Sequence, residues 1–364
     1  MAHAGKFMLP FKARGTPIAG ASYALHVDAR RVAQFLRGHA EARGVKRTEG
    51  IVTDVALDDR GFVSTLTLKD GRTIGADFFI DCSGFRALLI EKALGSGYTD
   101  WSDYLFCDRA IAAQTENVGP PRPYTLAEAQ DAGWRWRIPL QHRTGNGHVY
   151  ASGFTSDEDA LRTLLGAIAA PPMADPNRLR FVTGKRRRQW VGNVVAIGLS
   201  SGFLEPLEST SIHLIQSTII RLVRLLPDRG FDPATIAEFN RQTDFEYARI
   251  RDFIILHYKA TTRDDTPFWR QCRDMEVPDT LQRKIDLFAA NGRIFREDDE
   301  LFTEESWIQV FLGQGVIPRG YDPLVDIKPE AQVEEYLGNI QRVIARCVSL
   351  MPDHAEFVAK TCAA

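Results

Sequence analysis

Cysteine is scarce in this 364-residue sequence. The five that occur, Cys82, Cys107, Cys272, Cys347 and Cys362, are odd in number and scattered. They have neither Cys-x-x-Cys spacing nor a companion histidine pattern, which argues against a disulfide frame and against a zinc site. They read as free thiols of a reducing cytoplasm, where we expect the protein to reside. A dominant charge is lacking too: 45 Lys+Arg against 47 Asp+Glu leave a formal net charge of −2. No global field then draws the chain to nucleic acid or to an anionic membrane. No apolar stretch approaches a membrane span, and residues 1–15 lack the continuous apolar core of a signal peptide. Internal repeats and low-complexity tracts are absent from the sequence. What remains is ordinary globular composition, 44% hydrophobic and 25% charged, enough for a substantial core and contrary to intrinsic disorder.

The organising stretch runs from Ala196 to Gln216. The apolar run Val191–Leu199, broken by Gly192 and Gly198, predicts a buried strand ending in a tight turn. Pro206 cannot occupy a helix interior, and Glu208, Ser209, Thr210 and Ser211 are residues that favour a helix start. Ile212, Ile215, Ile219, Leu222 and Leu226 then follow helical spacing to about Leu226. Free N–H groups gather at such a helix N-terminus and can hold an anion, a phosphate or the electron-rich edge of a flavin.

Upstream, residues 1–20 predict a poorly structured lead-in, and a helix is expected after Asp28 with Val32, Phe35, Leu36 and Ala40 on one face and Gly44 as its stop. Val45–Leu57 and Phe62–Leu68 read as strands around Asp58-Asp-Arg-Gly61. Asp70-Gly71 signals a second hairpin, leading to the apolar strand that closes at Asp81-Cys-Ser-Gly84. Small residues at a strand's carboxyl end let backbone approach a ligand, although any buried strand can end in a glycine turn. Leu88–Leu94 reads as helix, Cys107–Thr115 and Trp134–Leu140 as strands, and Gly145-Asn-Gly147 as a hairpin turn. Trp134 and Trp136, two apart on a strand, share a face that either walls a cavity or packs in the core. The basic run Lys185–Arg188 is a solvated strand edge or a partner for an anionic cofactor. From Asp232-Pro233 to Tyr258, and again at 285–290, 306–312 and 332–350, the pattern is helical, so the C-terminal third is mostly α.

Gly198-Leu-Ser-Ser-Gly-Phe-Leu-Glu-Pro-Leu-Glu-Ser-Thr-Ser211 resembles the FAD- and halide-binding loop of the flavin-dependent tryptophan halogenase family, and Trp134-Arg-Trp-Arg-Ile-Pro139 resembles that family's Trp-x-Trp-x-Ile-Pro motif. The implied fold is α/β, a FAD-dependent monooxygenase-like flavin fold of the glutathione-reductase type with a mainly α-helical substrate subdomain. Expected units are the lead-in 1–20, a partial FAD-binding halogenase core at 21–230 and a helical substrate side at 231–364. The implied activity uses reduced FAD, O2 and chloride or bromide to halogenate tryptophan or another indole. Glu208 would orient the reagent and take the ring proton, with Ser209 beside it, while Thr210 and Ser211 bind halide through backbone N–H groups. Asp81, Ser83, Gly84, Gly198, Leu199, Gly202 and Phe203 would contact FAD. Trp134 and Trp136 would keep the activated flavin from the organic substrate, and with Tyr258, Phe268 and Trp269 would line the indole site. No metal is implied. A separate NADH-dependent flavin reductase is the implied partner, and a homodimer is possible within the family pattern.

Two of the family's features are missing from the sequence: Gly-x-Gly-x-x-Gly after an opening strand, and the essential lysine, whose motif neither Lys6 nor Lys12 matches. The expectation is a flavin fold without its first βαβ unit, leaving apolar faces and strand edges uncovered. A non-catalytic remnant that keeps an indole or flavin surface, and a flavin hydroxylase, are the alternative readings.

Overall fold

In this computed structural model residues 1–10, 15 and 22–362 are described. Residues 11–14 and 16–20 of the expected lead-in lie outside the described residues, and its first ten dock on the far end of the chain. Lys6 pairs with Asp353 at 2.9 Å, the His354 amide donates to the Gly5 carbonyl at 2.8 Å, and the Phe7 ring meets Phe357 edge-on at 4.8 Å.

Asp28 caps α1 (Ala29–Glu41) by accepting from the Arg30 and Arg31 amides, and Gly44 turns the chain away at φ +91°. Its apolar face is present but faces solvent: Phe35 is 71% exposed and α1 buries no residue. Strands Val52–Leu57, Val63–Leu68 and Thr73–Gly75 form an antiparallel meander. The Asp58 carboxylate closes its first turn by accepting from the amides of Arg60 and Phe62. The single-strand expectation for Val191–Leu199 is corrected. Gly192, at φ +55°, reverses the chain, so Trp190–Val191 pairs antiparallel with Val194–Ala196. Asn193 pins this reversal by exchanging hydrogen bonds with both backbone groups of Val63. Val194–Ala196 in turn lies parallel to Phe79–Asp81, the only parallel pairing among the described residues.

A five-stranded antiparallel sheet carries the tryptophan motif, in the order Asn177–Arg180, Arg109–Thr115, Thr144–Tyr150, Gly133–Pro139, Leu126–Gln130. Gly145 and Gly147 are not its turn. The chain reverses at 140–143, where the Leu140 amide donates to the Arg143 carbonyl at 2.8 Å, and both glycines lie inside Thr144–Tyr150. Packing explains the glycine at 147, because a Cβ there would run into the ring of its cross-strand partner Trp136. Gly147→Ala is therefore expected to displace that indole and cost roughly 1–3 kcal/mol of stability, measurable by urea unfolding with tryptophan emission as the probe.

Helix α2 (Asp157–Ala167), capped by Ser156, covers one face of this sheet with Ala160 and Leu164. The other face, including Trp134, Val149 and Ala110, joins the largest core cluster with the helical third. That third comprises α3 (Ser211–Arg224), α4 (Pro233–Lys259), α5 (Pro267–Asp274), α6 (Asp279–Asn291), α7 (Glu304–Gly313), α8 (Glu330–Ser349) and α9 (His354–Thr361). The 27-residue α4 is its axis, burying Ile250, Phe253, Ile254 and Tyr258 among others. Apolar side chains are exposed on α3, at Ile212, Ile219, Ile220 and Val223, and at Ile80 on the edge strand Phe79–Asp81.

The basic run is not a solvated edge throughout. Lys185 and Arg186 are buried in the small sheet Tyr98–Asp100, Gly184–Arg186, Gly202–Phe203. Lys185 pairs with Asp244, while Arg186 pairs with Glu91 at 2.7 Å and lies over the Tyr98 ring. Only Arg187 and Arg188 are exposed. All five cysteines are free.

Candidate active site

The parallel pair Phe79–Asp81 and Val194–Ala196 sends two loops from its carboxyl end side by side, the place where open α/β sheets bind ligands. The Ile197 amide and the Ser200 hydroxyl both donate to the Asp81 carbonyl and hold the loops together. Gly84 at φ +70° and Gly198 at φ +72° take left-handed turns at their tips, and no atom lies within 4 Å of where a Cβ of Gly84 would stand. Exposed Phe85 and Leu199, with Tyr98, Arg180 and Arg186, border a cavity of about 410 Å³. An apolar, cation-edged crevice beside open backbone fits the flat ring and anionic parts of a flavin.

Not every residue expected to touch the cofactor is free to do so. Both Asp81 carboxylate oxygens are spent on backbone amides, Oδ1 on Ser83 and Oδ2 on Leu89 and Ile90, each at 2.9 Å. The Ser83 hydroxyl accepts from Leu88 at 2.7 Å. These two side chains cap the helical turn 88–93, a corrected role. Gly202 is needed for packing: a Cβ there would stand 2.7 Å from the Gly184 carbonyl oxygen. Phe203 packs between Phe85 and Phe181. Gly84, Gly198 and Leu199 remain as open contacts.

From this crevice the chain runs through Leu204 and Glu205 into the turn Pro206–Glu208. Ser209 follows at φ +54°, a left-handed conformation that a serine adopts only at a cost in strain. This reversal aims Glu208 away from α3 and toward α4, so helix capping is not its role. Its Oε1 lies 2.8 Å from His257 Nε2. The other ring nitrogen, Nδ1, stands 2.8 Å from the Phe253 carbonyl, which can only accept. Nδ1 is therefore the donor in that bond, and Nε2 is the ring nitrogen turned toward the carboxylate. Oε2 of Glu208 has no hydrogen-bond partner among the described residues, and the side chain is partly exposed. No lysine pairs with Glu208 among the described residues. Lys259, two positions beyond His257, donates to the carbonyls of Arg273 and Met275.

Thr210 precedes α3 with no side-chain capping bond, and its buried Oγ1 is unpartnered among the described residues. Ser211 beside it is exposed. The unpaired N–H groups of the first turn and an orphaned hydroxyl make a donor set suited to a small anion.

The aromatic residues expected to line an indole slot are, with one exception, core. Tyr258 stacks on Trp269 at 5.9 Å, and Phe268 meets both edge-on. The Trp269 indole N–H donates to the Gln130 carbonyl at 2.7 Å. Trp134 is buried, and its N–H donates to Glu205 Oε2 at 2.9 Å. Their polar atoms are spent internally, so the core alternative describes these four. Trp136, tilted 5.9 Å from Trp134, keeps partial exposure. Sequence reasoning took His257 as an inward-facing position and, with Tyr258, as part of the stretch that resembles the family's indole site, without pairing it to Glu208; it missed Glu205, which no periodicity separates from a solvated carboxylate.

Comparison with known proteins places the chain in a family. The chain matches the Tryptophan halogenase family over residues 1–330. It is 36% identical to the tryptophan 7-halogenase RebH of Lentzea aerocolonigenes, covering 93% of this chain and 68% of that protein. It is 35% identical to the tryptophan 6-halogenase ThaL of Streptomyces albogriseolus, covering 91% and 66%. Among solved structures, a flavin-dependent halogenase from Xanthomonas campestris superposes with TM-score 0.95 at 48% identity, over 100% of this chain and 72% of its own. The halogenase BrvH from Brevundimonas sp. BAL3 gives 0.96 at 47%, over 99% and 74%. The chain belongs to the tryptophan halogenase family, and it spans about two thirds of the length of the curated relatives it matches.

Proposed function

We propose that this protein is a flavin-dependent halogenase of electron-rich aromatic rings of the indole type, with FAD as cofactor and chloride or bromide as co-substrate. The observation that carries the reading is the Glu208 carboxylate, held at 2.8 Å by His257 on a strained loop between the apolar crevice and the orphaned Thr210 hydroxyl. The names of the relatives, flavin-dependent halogenases and tryptophan halogenases, support it.

Reduced flavin and O2 supply the oxidising power that makes the halogen electrophilic. The chain's own residues do the rest. Gly84, Gly198 and Leu199 shape the flavin side, and Arg186 and Tyr98 edge it. The N–H groups of Thr210 and Ser211, with the Thr210 hydroxyl, hold halide at the start of α3. When the ring carbon forms its bond to halogen the ring becomes cationic. Glu208 stabilises that charge and takes the C–H proton on its free oxygen, which restores aromaticity. His257 occupies the other oxygen and so fixes which one faces the ring. Trp136 is the exposed member of the tryptophan pair and screens the ring from the flavin side.

The parallel pair with ligand-facing loops supports a flavin domain of the glutathione-reductase type, with the helical region from 231 as the substrate side. A separate NADH-dependent reductase delivers the reduced flavin. No helix of the described residues is long and apolar enough to cross a membrane. With free thiols and near-neutral charge, this favours a cytoplasmic protein, and a homodimer is its proposed assembly.

The test supplies the full chain with a flavin reductase, NADH, FAD, O2, bromide or chloride, and tryptophan or indole, and reads products by mass spectrometry. Halide-dependent replacement of a ring hydrogen by halogen is expected. A hydroxylated product formed without halide would establish the hydroxylase instead, and no product at all would favour the non-catalytic alternative.

A further inference from the structure

We infer that Glu205 is a positioning residue of this site: its buried carboxyl ties Trp134 of the tryptophan strand to Tyr258 of α4 and so sets Glu208 against His257. The inference rests on the reading of Glu208 given above.

Glu205 is 0% exposed. One oxygen, Oε2, accepts both from the Trp134 indole N–H at 2.9 Å and from the Tyr258 hydroxyl at 2.6 Å. The other, Oε1, has no partner among the described residues. A leucine or methionine would fill the same volume without the cost of burying a carboxyl, so packing alone does not account for it. What the carboxyl adds is a junction between three separate pieces of chain. The two carboxylates of Glu205-Pro-Leu-Glu208 grip consecutive residues of α4: Glu205 holds Tyr258, and Glu208 holds His257. One grip would leave the loop free to pivot; two fix its rotation. The Trp134 bond adds a third point and anchors the loop to the five-stranded sheet.

Burial pushes the Glu205 carboxyl up to about 7, while the hydrogen bonds from Trp134 and Tyr258 pull the other way. The groups facing it are Cys107, Cys272 on α5, and Tyr258 and His257 on α4. Burial raises both thiols and the Tyr258 phenol, so these three remain neutral. The junction thus gains its charge near neutrality. Because the folded carboxyl holds its proton to a higher pH than the unfolded one, its contribution to stability is complete below about 4.5 and is lost as pH rises through about 7.

The test compares Glu205→Gln, which keeps an acceptor and removes the charge, with Glu205→Leu, which removes both. Protein labelled with ¹⁵N at tryptophan and histidine is followed by NMR, with Trp134→Phe and His257→Gln assigning the two signals. The Trp134 indole N–H is expected to shift with a midpoint near pH 7 in the wild type and to stay flat in Glu205→Gln. The His257 ring signal should move in Glu205→Leu and match the wild type in Glu205→Gln. In turnover, Glu205→Leu should lose about 10–100-fold in kcat with a smaller change in KM, since misplacing a catalytic group by about 1 Å costs that order, and Glu205→Gln should restore most of it. A folded Glu205→Leu protein with the wild-type His257 signal and kcat overturns the inference. The NMR arm needs no turnover, so it decides the role of Glu205 even if Glu208→Gln proves harmless.

Discussion

Glu208→Gln lowers kcat for halogenation by about 10²–10⁴-fold, the range of a lost general base, while KM for the indole changes far less. The substitution keeps the shape of the side chain and a hydrogen-bonding group toward His257, so the strained turn at Ser209 has no reason to move. What it removes is the anion that faces the ring when that ring is positively charged. That interaction exists only after the carbon–halogen bond has begun to form, and a contact confined to the transition state appears in kcat. Steady-state rates at saturating halide and flavin, with product counted by mass spectrometry, check the split. A Glu208→Gln variant with kcat close to that of the wild type would remove the carboxylate from the mechanism. A large rise in KM at unchanged kcat would reassign it to ground-state binding.

The parts of the fold that could be read from sequence are those decided locally. Asp28 caps α1, Pro233 opens α4, and the apolar spacing from Ile212 to Leu226 became α3 within two residues at each end. Ser156 followed by three acidic residues is an equally local signal, and α2 starts there. The misreadings share another cause. Asn146 between glycines carries the hairpin signature, but the ring of Trp136 on the neighbouring strand decides what residue 147 can be. Val191–Leu199 has a buried strand's composition, yet Asn193 bonding to Val63, 130 positions earlier in the chain, folds it back on itself. Asp81 has a ligand's chemistry and position, and only the backbone amides of Leu89 and Ile90 show it to be occupied. In the site, Glu208, Ser209 and Thr210 were found because they stand in one string. His257 and Glu205 depend on α4 reaching the loop from about 50 residues further on, a distance no periodicity records.

The same helix holds the second large effect, this time on stability. Glu300 is buried and faces two cations, Lys284 of α6 at 3.0 Å and Arg249 of α4 at 3.4 Å. Lys284 is nearly as buried, donates to the Phe295 carbonyl at 2.9 Å and lies over the Trp307 ring. Glu300→Leu strands the Lys284 ammonium, whose carboxylate partner is Glu300, and is expected to cost about 3–5 kcal/mol, the range for removing one partner of a buried pair. Lys284→Met combined with Glu300→Leu removes the stranded ammonium, and because desolvation offsets so much of a buried pair's attraction, the double variant should regain most of the loss. Urea unfolding at constant m checks both values. Arg249 keeps Asp252 and Glu297 in every variant, so α4 stays anchored near its middle, about two turns before His257. The variants should then keep wild-type kcat below their unfolding temperatures. A stability loss under about 1 kcal/mol for Glu300→Leu would mean that water reaches the pair, as at an exposed salt bridge. A kcat that falls with stability would mean that the ion network also sets the position of His257.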